Sequence, residues 1–232
     1  MSLLLIYILT GSLIWENGEN WRQHRRMIHG AFRTFGYRGK QFQNAITAEL
    51  DALCACLEQK TRENNKLNNL GSLLTSATAN VICSVCFGRR YKYDEDEFVT
   101  AIESLVRISQ ALSGVTIAHV IPKLYHTPLY NGVRRDMANL IGFIDRNIAE
   151  HKERFDPDNV RDVTDVYLSN AVADGVCSRG VFDLFSAGSE TTSDVLLWAI
   201  LYMVVYPDIQ TKVNKNSLTQ SIFILSSLVT QY

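Results

Sequence analysis

The stretch Val181-Phe182-Asp183-Leu184-Phe185-Ser186-Ala187-Gly188-Ser189-Glu190-Thr191-Thr192-Ser193-Asp194 continues apolar through Trp198 to Tyr206 and stops at Pro207. Its periodicity predicts one long helix, with Phe182, Phe185, Ser189, Thr192, Leu196 and Met203 stepping along a single face. Its length and apolar content predict a central, buried position. The middle of the stretch works against that prediction: Gly188, an acid and two adjacent threonines are poor choices for a helix interior. Local conflict of this kind tends to mark function. Gly188 removes a side chain where a flat ligand could approach, and threonine hydroxyls can bond back to the helix or hold water. A hydroxyl beside a carboxylate also suits proton relay. The structural alternative is a core helix bent by its glycine and threonines.

A second conspicuous stretch lies near the start: Asn17-Gly18-Glu19-Asn20-Trp21-Arg22-Gln23-His24-Arg25-Arg26-Met27-Ile28-His29-Gly30-Ala31-Phe32. Asn17 suits a helix N-cap. Trp21, Arg25, Ile28 and Phe32 then share one face. A guanidinium among apolar neighbours is costly unless something negative meets it. No acidic residue lies between Glu19 and Glu49, so the counter-ion is distant in sequence or is a ligand. The Arg fork and the Trp indole N–H can both serve a carboxylate. The alternative is an arginine that snorkels out along its stem. His24 reads as a surface position on this basic helix.

Between the two stretches helical periodicity dominates. Phe42, Ile46, Leu50, Leu53 and Leu57 form one apolar face; Phe98, Ile102, Leu105 and Leu112 form another; Val133, Met137, Leu140, Ile144 and Ile148 form a third. Leu73 to Phe87, rich in Ala, Ser and Thr and uncharged, predicts a buried helix with close neighbours. Breaks are expected at Gly36/Gly39, Asn64-Asn65, Gly88, Gly114, Pro122, Pro128, Pro157 and Pro207. The run Asp94-Glu95-Asp96-Glu97 precedes a helical pattern and favours its N-terminal dipole. The chain reads as mostly α.

Composition narrows the function classes. Over 232 residues, 23 Lys+Arg against 24 Asp+Glu give a formal charge of −1, with no bulk pull toward nucleic acid or an acidic membrane. Five cysteines argue for reduced thiols rather than a secreted disulfide framework. The apolar run Leu3 to Leu9 is shorter than the ~20 residues a membrane span needs, and it has no signal-peptide flanks. Cys54, Cys56, Cys83 and Cys86 could in principle make a four-thiolate zinc site, but they fall in apolar helical stretches and suit small buried thiols better.

Trp21-x-x-x-Arg25 followed by Arg26, and Ala187-Gly188-Ser189-Glu190-Thr191-Thr192, resemble two signatures of the cytochrome P-450 haem-thiolate monooxygenases. Asn80-Val81-Ile82-Cys83 with Phe87-Gly88-Arg89-Arg90-Tyr91 resembles the animal microsomal drug- and steroid-metabolising branch. So does Arg161-Asp162-Val163-Thr164-Asp165-Val166-Tyr167-Leu168. The resemblance implies the central helical portion of that fold over residues 12–213, incomplete at both ends. Residues 1–11 are then a non-matching apolar N-terminus and 214–232 a non-family tail. It implies haem as cofactor, Trp21 and Arg25 on a propionate, and Ala187, Gly188 and Thr191 lining the distal face. Glu190 and Thr191 would deliver protons to bound dioxygen.

The implied reaction inserts one oxygen atom from dioxygen into a small lipophilic substrate. Electrons would come from a flavoprotein reductase docked on the basic surface around Arg22, Arg26 and Arg33. The implied location is the cytoplasmic face of the endoplasmic reticulum, with only peripheral membrane contact from this chain. One part of the pattern is missing: these 232 residues hold no Phe-x-x-Gly-x-Arg-x-Cys-x-Gly loop to carry the iron's thiolate. Thiolate ligation drives O–O cleavage, so the chain is expected to be inactive alone, with no metal ligand of its own. The alternative from another class is a non-catalytic helical fragment or partner-binding protein.

Overall fold

Every regular element among the described residues is a helix. The computed structural model describes residues 12–14, 16–35, 40–64, 69–112, 126–170 and 174–216. In chain order the helices are α1 (Gly18–Phe35), α2 (Lys40–Asn64), α3 (Leu70–Phe87), α4 (Asp96–Leu112), a 3-10 turn (Pro128–Tyr130), α5 (Asn131–Glu153), α6 (Val163–Ser169), α7 (Asp174–Val205) and α8 (Pro207–Asn216). Most boundaries fall where the sequence punctuates. Gly88 takes the left-handed conformation (φ +60) that closes α3, its N–H bonding to the Ser84 carbonyl. The proline rule holds at Pro207, where α8 departs from α7 at 117°. The expected breaks at Gly36/Gly39, Gly114 and Pro122 lie outside the described residues, as do the N-terminal apolar run (1–11) and most of the tail (217–232).

Helices α3 and α7 pack antiparallel through small and hydroxylated residues. Thr75 and Ser193 share a hydrogen bond of 2.9 Å, and Thr78 Oγ1 donates to the Ser189 carbonyl at 2.8 Å. A Cβ on Gly71 would sit 3.6 Å from Leu197. The polar groups are satisfied across the seam, so burying them costs little. Helix α3 is long and apolar enough to cross a membrane, but it lies against α2 and α7 as a core helix. Helices α4 and α5 are also antiparallel, with Arg107 bridging Asp136 at 3.0 Å and Arg146 bridging Glu97 at 2.6 Å. Their apolar faces meet α7 in an aromatic core: Tyr91 stacks on Phe98 at 5.1 Å, and Phe143 touches Phe185 at 6.0 Å. A smaller cluster of Leu53, Leu57, Leu74, Ala77 and Ile200 joins α2, α3 and α7.

One expectation is corrected. Helix α7 is central and buried only in its first two-thirds, to about Ser193. Beyond that point Val195 (68 % exposed), Trp198 (70 %), Tyr202 and Val205 stand in the open. A helix that is apolar on all sides needs cover on all sides. Among the described residues only α3 and the small cluster supply it here.

Candidate functional site

The N-terminal part of the chain is seated by two buried polar contacts, one from residues 12–13 to α7 and one from α1 to α6. At the first, Asp183 of α7 accepts from the Ser12 hydroxyl (2.8 Å) and the Leu13 N–H (2.5 Å) through one carboxylate oxygen. Residues 12–14 are thereby pinned to α7. The Leu13 carbonyl in turn receives the Trp21 indole N–H at 3.0 Å. Burial raises the Asp183 carboxyl above its ordinary value, and the bonds from Ser12 and Leu13 oppose that rise.

The second contact corrects the surface reading of His24. This residue is 6 % exposed, and its Nε2 shares a short hydrogen bond with Tyr167 Oη of α6. Burial first, and the Arg179 charge second, hold the imidazole below its ordinary pKa. The site exists because of Gly180 on α7: a Cβ there would fall on Tyr167 Oη and lie 2.9 Å from His24 Nε2. Sequence reasoning missed Asp183, Gly180 and Tyr167. Their only signal was a buried-type acid and a glycine inside an apolar helix.

Arg25 projects from α1 into solvent and lies over the Trp21 ring, 5.2 Å from its centroid. No carboxylate meets it among the described residues. The Trp21 indole N–H is already engaged by Leu13, so the guanidinium is the free donor of this pair. The basic expectation for α1 also stands: Arg22, Arg26 and Arg33 are exposed.

On α7, Gly180, Asp183, Ala187 and Thr191 follow one another at three- and four-residue steps, a single stripe. Ser12, Leu13, His24 and Tyr167 cover the first half of that stripe. Ala187 and Thr191 continue it uncovered, with Thr191 Oγ1 donating to the Ala187 carbonyl at 2.6 Å. Val195, Trp198 and Tyr202 carry the same stripe onward. Gly188 is not part of it. Its bare Cα meets α3 instead, where an added Cβ would lie 2.6 Å from Ile82 Cδ1. Glu190 sits beside the stripe, half-buried. At this junction His24 and residues 12–14 seat the Trp21/Arg25 helix against α6 and α7, while Ala187 and Thr191 lie exposed further along α7 and Gly188 turns toward a neighbouring helix.

Two other features lie apart from this junction. An apolar groove of ≈ 320 Å³ between α2, α3 and α7 is lined by Ile46, Leu53, Leu74, Ile82, Gly188 and Thr192. At the far end of α5, His151 Nε2 lies 2.7 Å from Asp162, with Asp165 4.0 Å away. Asp165 already accepts from Arg161 at 2.7 and 3.0 Å, and Asp162 caps α6 through the Asp165 N–H. That cluster is a structural joint. Cys83 and Cys86 are buried in α3, and burial pushes both thiols far above their ordinary range.

The comparisons with known proteins bear on the family and the fold. A sequence model of the cytochrome P-450 family matches residues 4–220, against the 12–213 marked out by the motifs. The chain is 31% identical over 221 residues to cytochrome P-450 2D10 of Rattus norvegicus, covering 88% of this chain and 43% of that protein. It is 31% identical over 229 residues to cytochrome P-450 2U1 of Homo sapiens, covering 91% and 42%. A solved zebra fish cytochrome P-450, a structure with progesterone, superposes with a TM-score of 0.77 at 22% identity. That match covers 91% of this chain and 51% of the other. The chain thus spans less than half the length of these curated relatives. With the Trp21/Arg25 helix and the Ala187–Thr192 helix joined in one helical fold, the chain belongs to the cytochrome P-450 family.

Proposed function

We propose that this chain supplies the propionate-anchoring and proton-relay helices of a haem-dependent monooxygenase acting on small lipophilic substrates: xenobiotics, fatty acids or steroids. The observation that carries the reading is Arg25, an exposed guanidinium backed by the Trp21 ring with no carboxylate partner among the described residues. An unpaired fork of donors backed by an aromatic ring suits a group bearing carboxylates.

Haem, when bound, supplies dioxygen activation and oxygen-atom transfer. Arg25 would hold a propionate, and Trp21 would steady the guanidinium through its ring rather than donate its engaged N–H. Ala187 keeps the stripe low where the macrocycle would lie. Thr191 and Glu190 would move protons toward the distal face. The Thr191 hydroxyl must turn from the Ala187 carbonyl to take part. The exposed Arg22, Arg26 and Arg33 would face an acidic flavoprotein reductase, a pairing weakened by salt. The family setting for such a protein is the cytoplasmic face of the endoplasmic reticulum, with peripheral membrane contact from this part of the chain.

Hemin titration of the chain and of Arg25→Ala tests the anchor. Affinity should fall in the variant, and equal affinity would return Arg25 to the snorkelling reading. After reduction and carbon monoxide, this chain alone should give no thiolate-type Soret band, because Cys83 and Cys86 are buried in α3 and held as thiols. Such a band would overturn the proposal that the thiolate comes from sequence other than these residues. One observation favours the second reading, a non-catalytic helical fragment: the uncovered apolar end of α7.

A further inference from the structure

His24 precedes Arg25 by one residue yet is buried in the protein while Arg25 is exposed. Its ring meets Tyr167 edge-on, with centroids 5.4 Å apart at 72°. The contact is made over the bare Cα of Gly180, so α1, α6 and α7 converge on one polar bond. The bond has a cost, because His24 Nδ1 is buried with no hydrogen-bond partner among the described residues. An apolar side chain would fill the same space without that cost. What it would lack is direction, since packing tolerates small rotations and a hydrogen bond does not.

Rotation of α1 matters for its outward residues. Each residue of a helix is about 100° from the next, so fixing His24 fixes where Trp21 and Arg25 point. The reference frame is independent of α1, because Leu13 is held to α7 by Asp183. The Trp21–Leu13 bond of 3.0 Å survives only if α1 keeps its rotation relative to α7.

We propose that His24 is a positioning residue for the Trp21/Arg25 face: its bond to Tyr167, admitted by Gly180, sets the rotation of α1 on α7. That this face is the propionate anchor rests on the functional reading above. The rotation itself does not.

The test uses the chain without cofactor first. The Trp21 indole N–H is followed by ¹⁵N–¹H resonance and by solvent exchange in His24→Leu, His24→Gln and Tyr167→Phe. Both His24→Leu and Tyr167→Phe should shift the resonance and speed exchange on the order of tenfold, the ratio expected for one lost hydrogen bond. His24→Gln, which places a polar nitrogen or oxygen near the Nε2 position, should restore both. Wild-type resonance and exchange in Tyr167→Phe would overturn the proposal, even if His24→Leu fails to fold. His24→Gln behaving like His24→Leu would also overturn it, because only packing would then be at stake. Hemin titration separates the two readings. Arg25→Ala should lose hemin affinity while the Trp21 indole N–H keeps its slow exchange, its resonance moving only because the guanidinium over the ring is gone. Unchanged affinity there refutes the anchor while Trp21 exchange still decides His24.

Discussion

Thr191 and Gly188 are three residues apart and answer to different neighbours. The Thr191 hydroxyl lies on the open stripe and, among the described residues, bonds only to the helix's own Ala187 carbonyl, so little structure is lost with it. In a chain completed with a thiolate-bearing segment, Thr191→Ala should fold and bind haem while electrons leak into hydrogen peroxide. Product per reductant should fall by about 10²–10⁴-fold, the usual span of general acid–base contributions. A constant ratio of product to peroxide rules out the relay. Gly188→Ala should do the reverse. Its Cβ would press on Ile82 Cδ1, the far end of a side chain that can turn, so thermal unfolding should register about 1–3 kcal/mol of overpacking. Ile82→Ala in the same chain should recover most of it, and product per reductant should not move.

Short α6 depends on its N-terminal charges more than on its length. Seven residues cannot hold a helix by propensity alone. Asp162 caps it, and Asp165 accepts from the Arg161 N–H and guanidinium. Burial alone would raise the Asp165 carboxyl, but the Arg161 hydrogen bonds outweigh it and hold the group below its ordinary value. A depressed folded-state pKa stabilises above the unfolded value, near 3.9, and that stability is lost as pH falls through the folded value. Asp165→Asn should therefore cost about 2 kcal/mol at neutral pH, the scale of hydrogen bonds to charged groups. The gap between variant and wild type should begin to narrow as pH falls past about 3.9 and go on narrowing toward the depressed folded value. Melting curves from pH 7 to pH 3 check this, and a gap that persists in acid would assign the loss to packing. Since α6 also carries Tyr167, loosening it should weaken the seat of α1.

Taken whole, the described fold is well covered at one end and bare at the other. Val195, Trp198, Leu201, Tyr202 and Val205 expose an apolar surface of the kind that draws association in water. The chain alone should self-associate with rising concentration. Trp198→Glu with Tyr202→Glu should reduce that association without loss of helical signal, as read by sedimentation velocity and far-ultraviolet circular dichroism. An unchanged association would move the sticky surface elsewhere, the groove between α2, α3 and α7 being the next apolar feature.

Helix positions, most breaks and the helical setting of the two motif stretches were legible from the sequence alone. They depend on local rules: apolar periodicity, glycine and proline stops, and residue types that clash with a helix interior. The same rules explain the two misreadings. His24 follows a basic surface pattern, yet it is buried because Tyr167, 143 residues away, and Gly180 make a slot for it. The second half of α7 has the composition of a buried helix, yet burial is decided by which other elements reach it. Gly188 shows both sides at once. Sequence marked it as a place where something comes close, and only the tertiary arrangement decided that the neighbour is Ile82 of α3. Periodicity places a side chain on a face of its own helix, while contact requires a second helix whose rotation and distance are fixed by residues far away in the chain.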